Sequence, residues 1–221
     1  GTTTFNDMYN PNGVEIGQIH EVVARSKMRC YFSPTLFSSD METTEETLAR
    51  TRTIIEEILS YNADRFKVMV APHAPYSCSK DLLKGSLELA RELQLKLHIH
   101  VAETQAENGM ILERYGKRPL VFLTELGYLE QAGIFAHGGE LNEREIAELT
   151  ASKIHIAHNP ISNLKLASGI APVTDLVQAG VTVGLATDSV ASNNNLDMFE
   201  ESRTAALLQK MRTGDATQFT I

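Results

Sequence analysis

His98 and His100 stand two apart in LKLHIHVAET, residues 95–104, and Glu103 follows three residues after the second histidine. Residues two apart on a strand project to the same face. Neutral imidazole suits a divalent metal such as zinc, and a carboxylate beside it can relay protons. His100 and Glu103 therefore have the composition of one metal ligand and one proton shuttle. The same pair also reads as a strand end whose histidines are satisfied by hydrogen bonds. His98 lies one layer deeper, and is either part of such a site or only an interior residue.

Other polar residues fall at similar places. ATDSVASNNN (186–195) puts Asp188 where a strand stops and a loop of small polar residues begins. There a carboxylate can bind a metal and take a proton from water, or simply cap a helix or close an Asx turn. In APHAPYSCS (71–79), Pro72 and Pro75 stiffen the loop around His73. Such rigidity suits a substrate contact, although histidines in proline-flanked loops also occur without a role. Ser79 reads as the cap of a helix beginning near Lys80. AHGGEL (136–141) gives His137 at a strand end, with two glycines that let the backbone turn closely. IAHNPISNLKLASGIAP (156–172) gives His158 and Asn159 at another, with Pro160 expected to block a helix there. Each alone reads as turn chemistry. His20 and His155 fit ordinary helix-surface and strand positions.

The elements that must position these residues alternate. Strands are expected over 2–7, 28–33, 66–72, 95–101, 133–137, 153–158 and 181–187, with helical periodicity between them. Thr43 with Glu46 and Asn142 with Glu145 have capping-box spacing. Pro172 suits a first helical turn, and Gly180 stands where a helix C-terminus wants a left-handed residue. Strands alternating with helices imply parallel strands joined by right-handed crossovers, in a doubly wound sheet or a closed barrel. Polar residues recur where each strand ends: Asp7, His73, His100 with Glu103, His137, His158 with Asn159, and Asp188. That placement favours a (β/α)8 barrel, whose strand ends converge on one mouth. Seven strands are one short of closure. No repeat or Pro/Gly-rich linker suggests an internal boundary, so residues 1–221 are expected to form a single, partial barrel domain.

Composition narrows the partners. A chain of 221 residues, 43% hydrophobic and 22% charged, can bury a sizeable core. Its net charge of −8 offers no broad basic surface for nucleic acid. No apolar run reaches the roughly 20 residues of a membrane span, and the N-terminus carries neither a signal pattern nor an initiator methionine. Cys30 and Cys78, the only cysteines, form no CxxC pair, which argues against a disulfide framework and for a reducing, cytoplasmic setting.

Taken in order, GTTTFNDMY, APHAPYSCS, HIHVAET, AHGGEL, AHNPISNLKLASGIAP and GLATDSVASNNNLDMFEE resemble the amidohydrolase superfamily. Within it they look most like the 5-methylthioadenosine/S-adenosylhomocysteine deaminases and their chlorohydrolase-like relatives. The resemblance covers essentially the whole chain, and its last two motifs are specific. It implies a (β/α)8 TIM barrel of the metal-dependent hydrolase type, one divalent metal (zinc, with iron as the alternative) and a small heterocyclic substrate. By resemblance His100 and Asp188 are metal ligands, and Asp188 also takes the proton of the attacking water. Glu103 would shuttle protons to a ring nitrogen, and His137 would hold the attacking water. His73 would contact the substrate, with Ser192 lining the pocket. The implied reaction of the intact protein is deamination of 5'-methylthioadenosine or S-adenosylhomocysteine. Hydrolysis of guanine, cytosine, a triazine or another amino- or chloro-heterocycle is a second reading, and a noncatalytic ligand-binding barrel a third.

Departures bear on these expectations. The family's other two ligands come from an HxH motif on the first strand, and no residue here supplies it. The HIH of residues 98–100 does not fill that role, because its HVAE continuation matches the fifth strand. The chain is therefore expected to be a fragment holding barrel strands 2 to 8, without the flanking β-sandwich segments. Such a fragment should hold metal weakly and turn over poorly. The family more often has AHCVHL where this chain reads AHGGEL. A homo-oligomer is an expectation inherited from the resemblance.

Overall fold

Strand pairing is parallel throughout the registered pairs, as alternation of strands with helices requires. The computed structural model describes residues 2–9 and 14–219. It divides into two compact units, Gly1–Ile99 and His100–Ile221.

In the first unit, β1 (Thr4–Tyr9), α1 (Ile16–Ser26), β2 (Arg29–Leu36), α2 (Thr44–Ser60), β3 (Phe66–Val68), β4 (Ala71–Pro72) and α3 (Lys80–Glu92) follow in order. β2 is central: β1 pairs with it from Thr4↔Arg29 to Tyr9↔Pro34, and β3 and β4 both pair with it. The single strand expected over 66–72 is thus two short ones. Met69 N–H still donates to Phe32 O, but Val70 between them bridges Leu97 instead, its N–H donating to Lys96 O. One residue changes partner, and the ladder to β2 is broken there. Phe32, Leu36, Ile55, Ile58, Phe66 and Leu83 are buried in this unit.

β5 (Leu97–Val101) leads into the second unit, which continues with α4 (Gln105–Tyr115), α5 (Pro119–Leu126), a 3₁₀ turn (Tyr128–Glu130), β6 (Gly133–His137), α6 (Glu143–Thr150), β7 (Ile154–His158), α7 (Pro160–Lys165), α8 (Val173–Gln178), β8 (Val183–Leu185), α9 (Val190–Asn193) and α10 (Met198–Thr213). Its sheet has the order β5-β6-β7-β8. Along β7, Ile154, Ile156 and His158 are buried while His155 is exposed, the period-2 alternation of a strand with one covered face. Ile111, Leu123, Tyr128, Phe135 and Leu176 complete this core.

Local sequence accounts for the helix starts. Both expected capping boxes form, at Thr43/Glu46 before α2 and at Asn142/Glu145 before α6, and Ser79 caps α3 by accepting from Leu82 N. Thr43→Ala should lower stability by about 1 kcal/mol, read from the denaturant midpoint at unchanged slope. Gly180, at φ +84°, ends the α8 segment as expected. Pro160 departs from expectation: it starts α7 rather than preventing a helix. At the first helical position its missing N–H has no intrahelical acceptor to lose, and its fixed φ already suits the helix. Pro172 stands one place before α8, as its N-cap. Both cysteines are unpaired and buried, and burial with the nearby Asp7 charge pushes the Cys30 thiol up to about 12. No helix among the described residues is long and apolar enough to cross a membrane.

Candidate active site

Two tight turns at the ends of β5 and β6 build the site in the second unit. After Val101 the backbone turns through Ala102 at φ +50° to present Glu103, and Thr104 then caps α4 by accepting from Glu107 N. The Glu107 side chain reaches back, and its Oε2 accepts from Glu103 N at 2.7 Å. At the end of β6, His137 takes φ +71° and Gly138 φ +60°. Gly138 N donates to Val101 O at 3.1 Å and Glu140 N to Ala102 O at 2.8 Å, tying one turn to the other. A Cβ at Gly139 would stand 3.0 Å from Glu103 O, so a side chain there would push the turns apart. The glycine pair of AHGGEL is used as its sequence suggests.

These turns bring His100, Glu103 and His137 together. Each offers one ligand atom, and the three atoms lie within 4.8 Å of one another. His137 Nε2 is 2.9 Å from His100 Nδ1 and 3.8 Å from Glu103 Oε2. The two imidazole rings stack with centroids 5.0 Å apart. On its other side His137 Nδ1 is 3.0 Å from Asn163 Oδ1, on α7. An amide oxygen only accepts, so His137 Nδ1 is the donor in its contact with Asn163. Two imidazoles and a carboxylate form a donor set that suits a divalent metal of the zinc type.

His158 deepens this site from the β7 end. Its ring is fully buried on the Ile154/Ile156 face, and neither nitrogen has a hydrogen-bond partner. Burial, with His137 nearby, pushes its pKa down to about 4, so the ring is neutral at neutral pH.

The remaining expected residues are not members of that three-residue group. Asp188, half-buried after β8 at φ +62°, is outside the three-residue cluster. Its Oδ2 accepts from Ser162 Oγ at 2.5 Å and its Oδ1 from Ser189 N at 2.7 Å. Ser192 is buried in its own turn, donating to Ser189 O at 3.1 Å. His73 belongs to the first unit, where its Nδ1 lies 2.7 Å from Ser77 Oγ and its ring packs on Phe37. His98, in the same unit, is a buried interior residue with Nδ1 3.0 Å from the Asn6 amide nitrogen, and Ser33 Oγ donates to Asn6 Oδ1. Two contributors escaped the sequence reading. Glu107 carried a usable signal, the T-x-x-E spacing of Thr104–Glu107, whereas nothing local marks Asn163 as the residue that meets His137.

Comparison with known proteins matches residues 1–221 to the Amidohydrolase family. The chain is 48% identical to a 5-methylthioadenosine/S-adenosylhomocysteine deaminase of Bacillus cereus, across 98% of this chain and 50% of that protein. It is 47% identical to one of Bacillus anthracis over the same shares. Among solved structures, an adenosine deaminase from Xanthomonas campestris with bound zinc matches with a TM-score of 0.87 at 33% identity, covering 98% of this chain and 49% of that one. A zinc complex of an atrazine chlorohydrolase from Arthrobacter aurescens matches with a TM-score of 0.86 at 22% identity, covering 98% and 51%. At that identity the likeness shows the fold alone: the α/β barrel type of these hydrolases, here in part. The chain spans about half the length of the curated relatives it matches.

Proposed function

The chain belongs to the amidohydrolase family over all of residues 1–221, and from that premise we propose that the full-length protein carrying it deaminates an adenine nucleoside by hydrolysis. 5'-Methylthioadenosine and S-adenosylhomocysteine are the proposed substrates. The observation that carries this reading is the His100–Glu103–His137 cluster at two adjoining strand ends. The relatives named as deaminases of these two nucleosides support the choice of ring.

His100, from the cluster whose donors fit a divalent metal, and Asp188, which stands outside it, are the residues proposed to hold the ion, with zinc the proposed ion and iron the alternative. When bound, the metal supplies the Lewis acidity that makes water a nucleophile at neutral pH. The side chains do the rest. His137, pinned between His100 and Asn163, holds the attacking water. Asp188 takes the water's proton as oxygen adds to C6 of the adenine ring. Glu103 delivers a proton to the ring nitrogen, which lets the ring accept the electron pair. Asp188 then passes its proton to the amino nitrogen, the C6–N bond breaks and ammonia leaves, and the added hydroxyl gives its proton back to Glu103 to become the C6 carbonyl. His73 and Ser192 contact the substrate in this scheme. The two buried, unpaired thiols support a reducing, cytoplasmic setting, and a homo-oligomer is proposed on family grounds.

The test is ammonia release by the full-length protein from 5'-methylthioadenosine, S-adenosylhomocysteine and guanine, with metal content determined on the same sample. Release from the two adenine nucleosides, lost on changing His100 or Asp188, is the expected result. Release from guanine alone would move the substrate to another ring. Silence on all three with no metal bound would sink the catalytic reading.

A further inference from the structure

Glu201 is fully buried on α10, a costly place for a carboxylate unless it is well hydrogen-bonded. Its Oε1 accepts from Asn193 Nδ2 at 2.5 Å, and its Oε2 accepts from Ile161 N at 3.3 Å. Those two donors belong to different segments, the end of α9 and the start of α7. Each leads on to Asp188. Asn193 Nδ2 uses its second hydrogen on Thr187 O at 2.6 Å, the carbonyl immediately before Asp188. Ile161 precedes Ser162, whose hydroxyl donates to Asp188 Oδ2 at 2.5 Å. One buried carboxylate thus fixes the backbone before Asp188 and the hydroxyl that meets its side chain.

We propose that Glu201 is the positioning residue of Asp188, acting through an Asn193–Thr187 arm and an Ile161–Ser162 arm. Asp188 sits at φ +62°, a conformation that an aspartate leaves readily unless its neighbours hold it. Freed from the clamp, the 187–189 turn leading into α9 would relax toward ordinary backbone and carry the carboxylate away from Ser162. Glu201 itself touches neither substrate nor metal in this proposal. The consequence for catalysis rests on the role proposed above for Asp188, whereas the clamp does not.

Glu201→Gln keeps the shape but replaces one acceptor with an amide donor that must face Ile161 N–H or Asn193 Nδ2, so one arm opens. In the metal-free full-length protein, amide exchange is expected to rise at least about tenfold over 161–163 or over 187–194, whichever arm opens, with α2 unchanged. In the zinc-loaded protein, zinc affinity and kcat should each fall about 10- to 100-fold, as is usual when the support of a ligand is removed, with KM unchanged. Asn193→Ala should loosen 187–194 without loosening 161–163. If Glu201→Gln does not fold, Asn193→Ala and Ser162→Ala carry the test. Their combined loss of zinc affinity should be smaller than the product of the single losses, because both act on one carboxylate. Unchanged exchange in both segments would overturn the clamp. Loosened segments with wild-type zinc affinity and kcat, or independent losses in the double variant, would overturn its action on Asp188. A wild-type protein that takes up no zinc would sink the metal reading and leave exchange to decide the clamp.

Discussion

Replacing Glu103 by glutamine is expected to lower kcat of the full-length protein on 5'-methylthioadenosine by about 10³-fold while zinc content and KM hold. Glutamine keeps the length and planarity of the side chain, and the Ala102–Glu103 turn is fixed through the main chain. Glu103 N is held by Glu107 Oε2 at 2.7 Å, and Glu140 N binds Ala102 O at 2.8 Å. What glutamine lacks is a proton to give up and take back. General acid–base groups contribute typically 10²- to 10⁴-fold, and a factor of about 10³ is roughly 4 kcal/mol of barrier. The same variant separates two roles for the carboxylate. Glu103 offers an oxygen to the three-residue cluster and lies 3.8 Å from His137 Nε2, so it stands where a ligand or a shuttle could stand. A shuttle leaves metal content intact when changed to glutamine. A ligand does not, and zinc lost together with activity would move Glu103 into the coordination sphere and cost it the assigned role.

Whether a feature could be read from sequence followed the distance over which its cause acts. The capping boxes at Thr43 and Asn142 are visible because a cap is closed within four residues. His100, His137 and Asp188 were recognisable as strand-end residues because a parallel alternation fixes where strands stop. Pro160 was misread because proline's two effects oppose each other: it breaks a helix from inside and starts one at the first position, and only the register of α7 decides. The split of 66–72 depends on Val70 preferring Leu97 to β2, a choice made across the sheet. Asn163 and Glu201 lie in quoted motifs, yet their work is to reach residues 26 and 8 positions or more away. No local pattern announces such a contact. The burial of His158 differs, since the alternation of its strand already sets the ring on the Ile154/Ile156 face.

Two buried titratable groups beside the site should pull stability in opposite directions with pH. Glu107, 1% exposed, is pushed up from 4.5 to about 7 by burial, against hydrogen bonds from the Glu103 and Ala102 backbone that favour its ionised form. A raised pKa means that the folded state prefers the protonated acid. Its contribution is complete below pH 4.5 and is lost as pH rises through about 7. His158, fully buried, is pushed down from 6.5 to about 4 by burial and by His137. The folded state prefers the neutral ring, so this contribution is complete above pH 6.5 and is lost as pH falls through about 4. Each span, at about 1.4 kcal/mol per pH unit, is worth ~3 kcal/mol. Between pH 4.5 and 6.5 the two slopes oppose, and their sum is nearly flat. Removing one group exposes the other. Relative to wild type, Glu107→Gln in the metal-free protein should gain stability with rising pH by about 1.4 kcal/mol per unit over 4.5–7. His158→Leu should lose it with rising pH at a similar rate over 4–6.5. Urea midpoints taken at half-unit steps from pH 4 to 8 read both differences directly, and groups common to all three proteins cancel. A Glu107→Gln curve parallel to wild type would mean that the carboxylate ionises without cost where it is buried. A parallel His158→Leu curve would mean that the ring finds a partner for its charge.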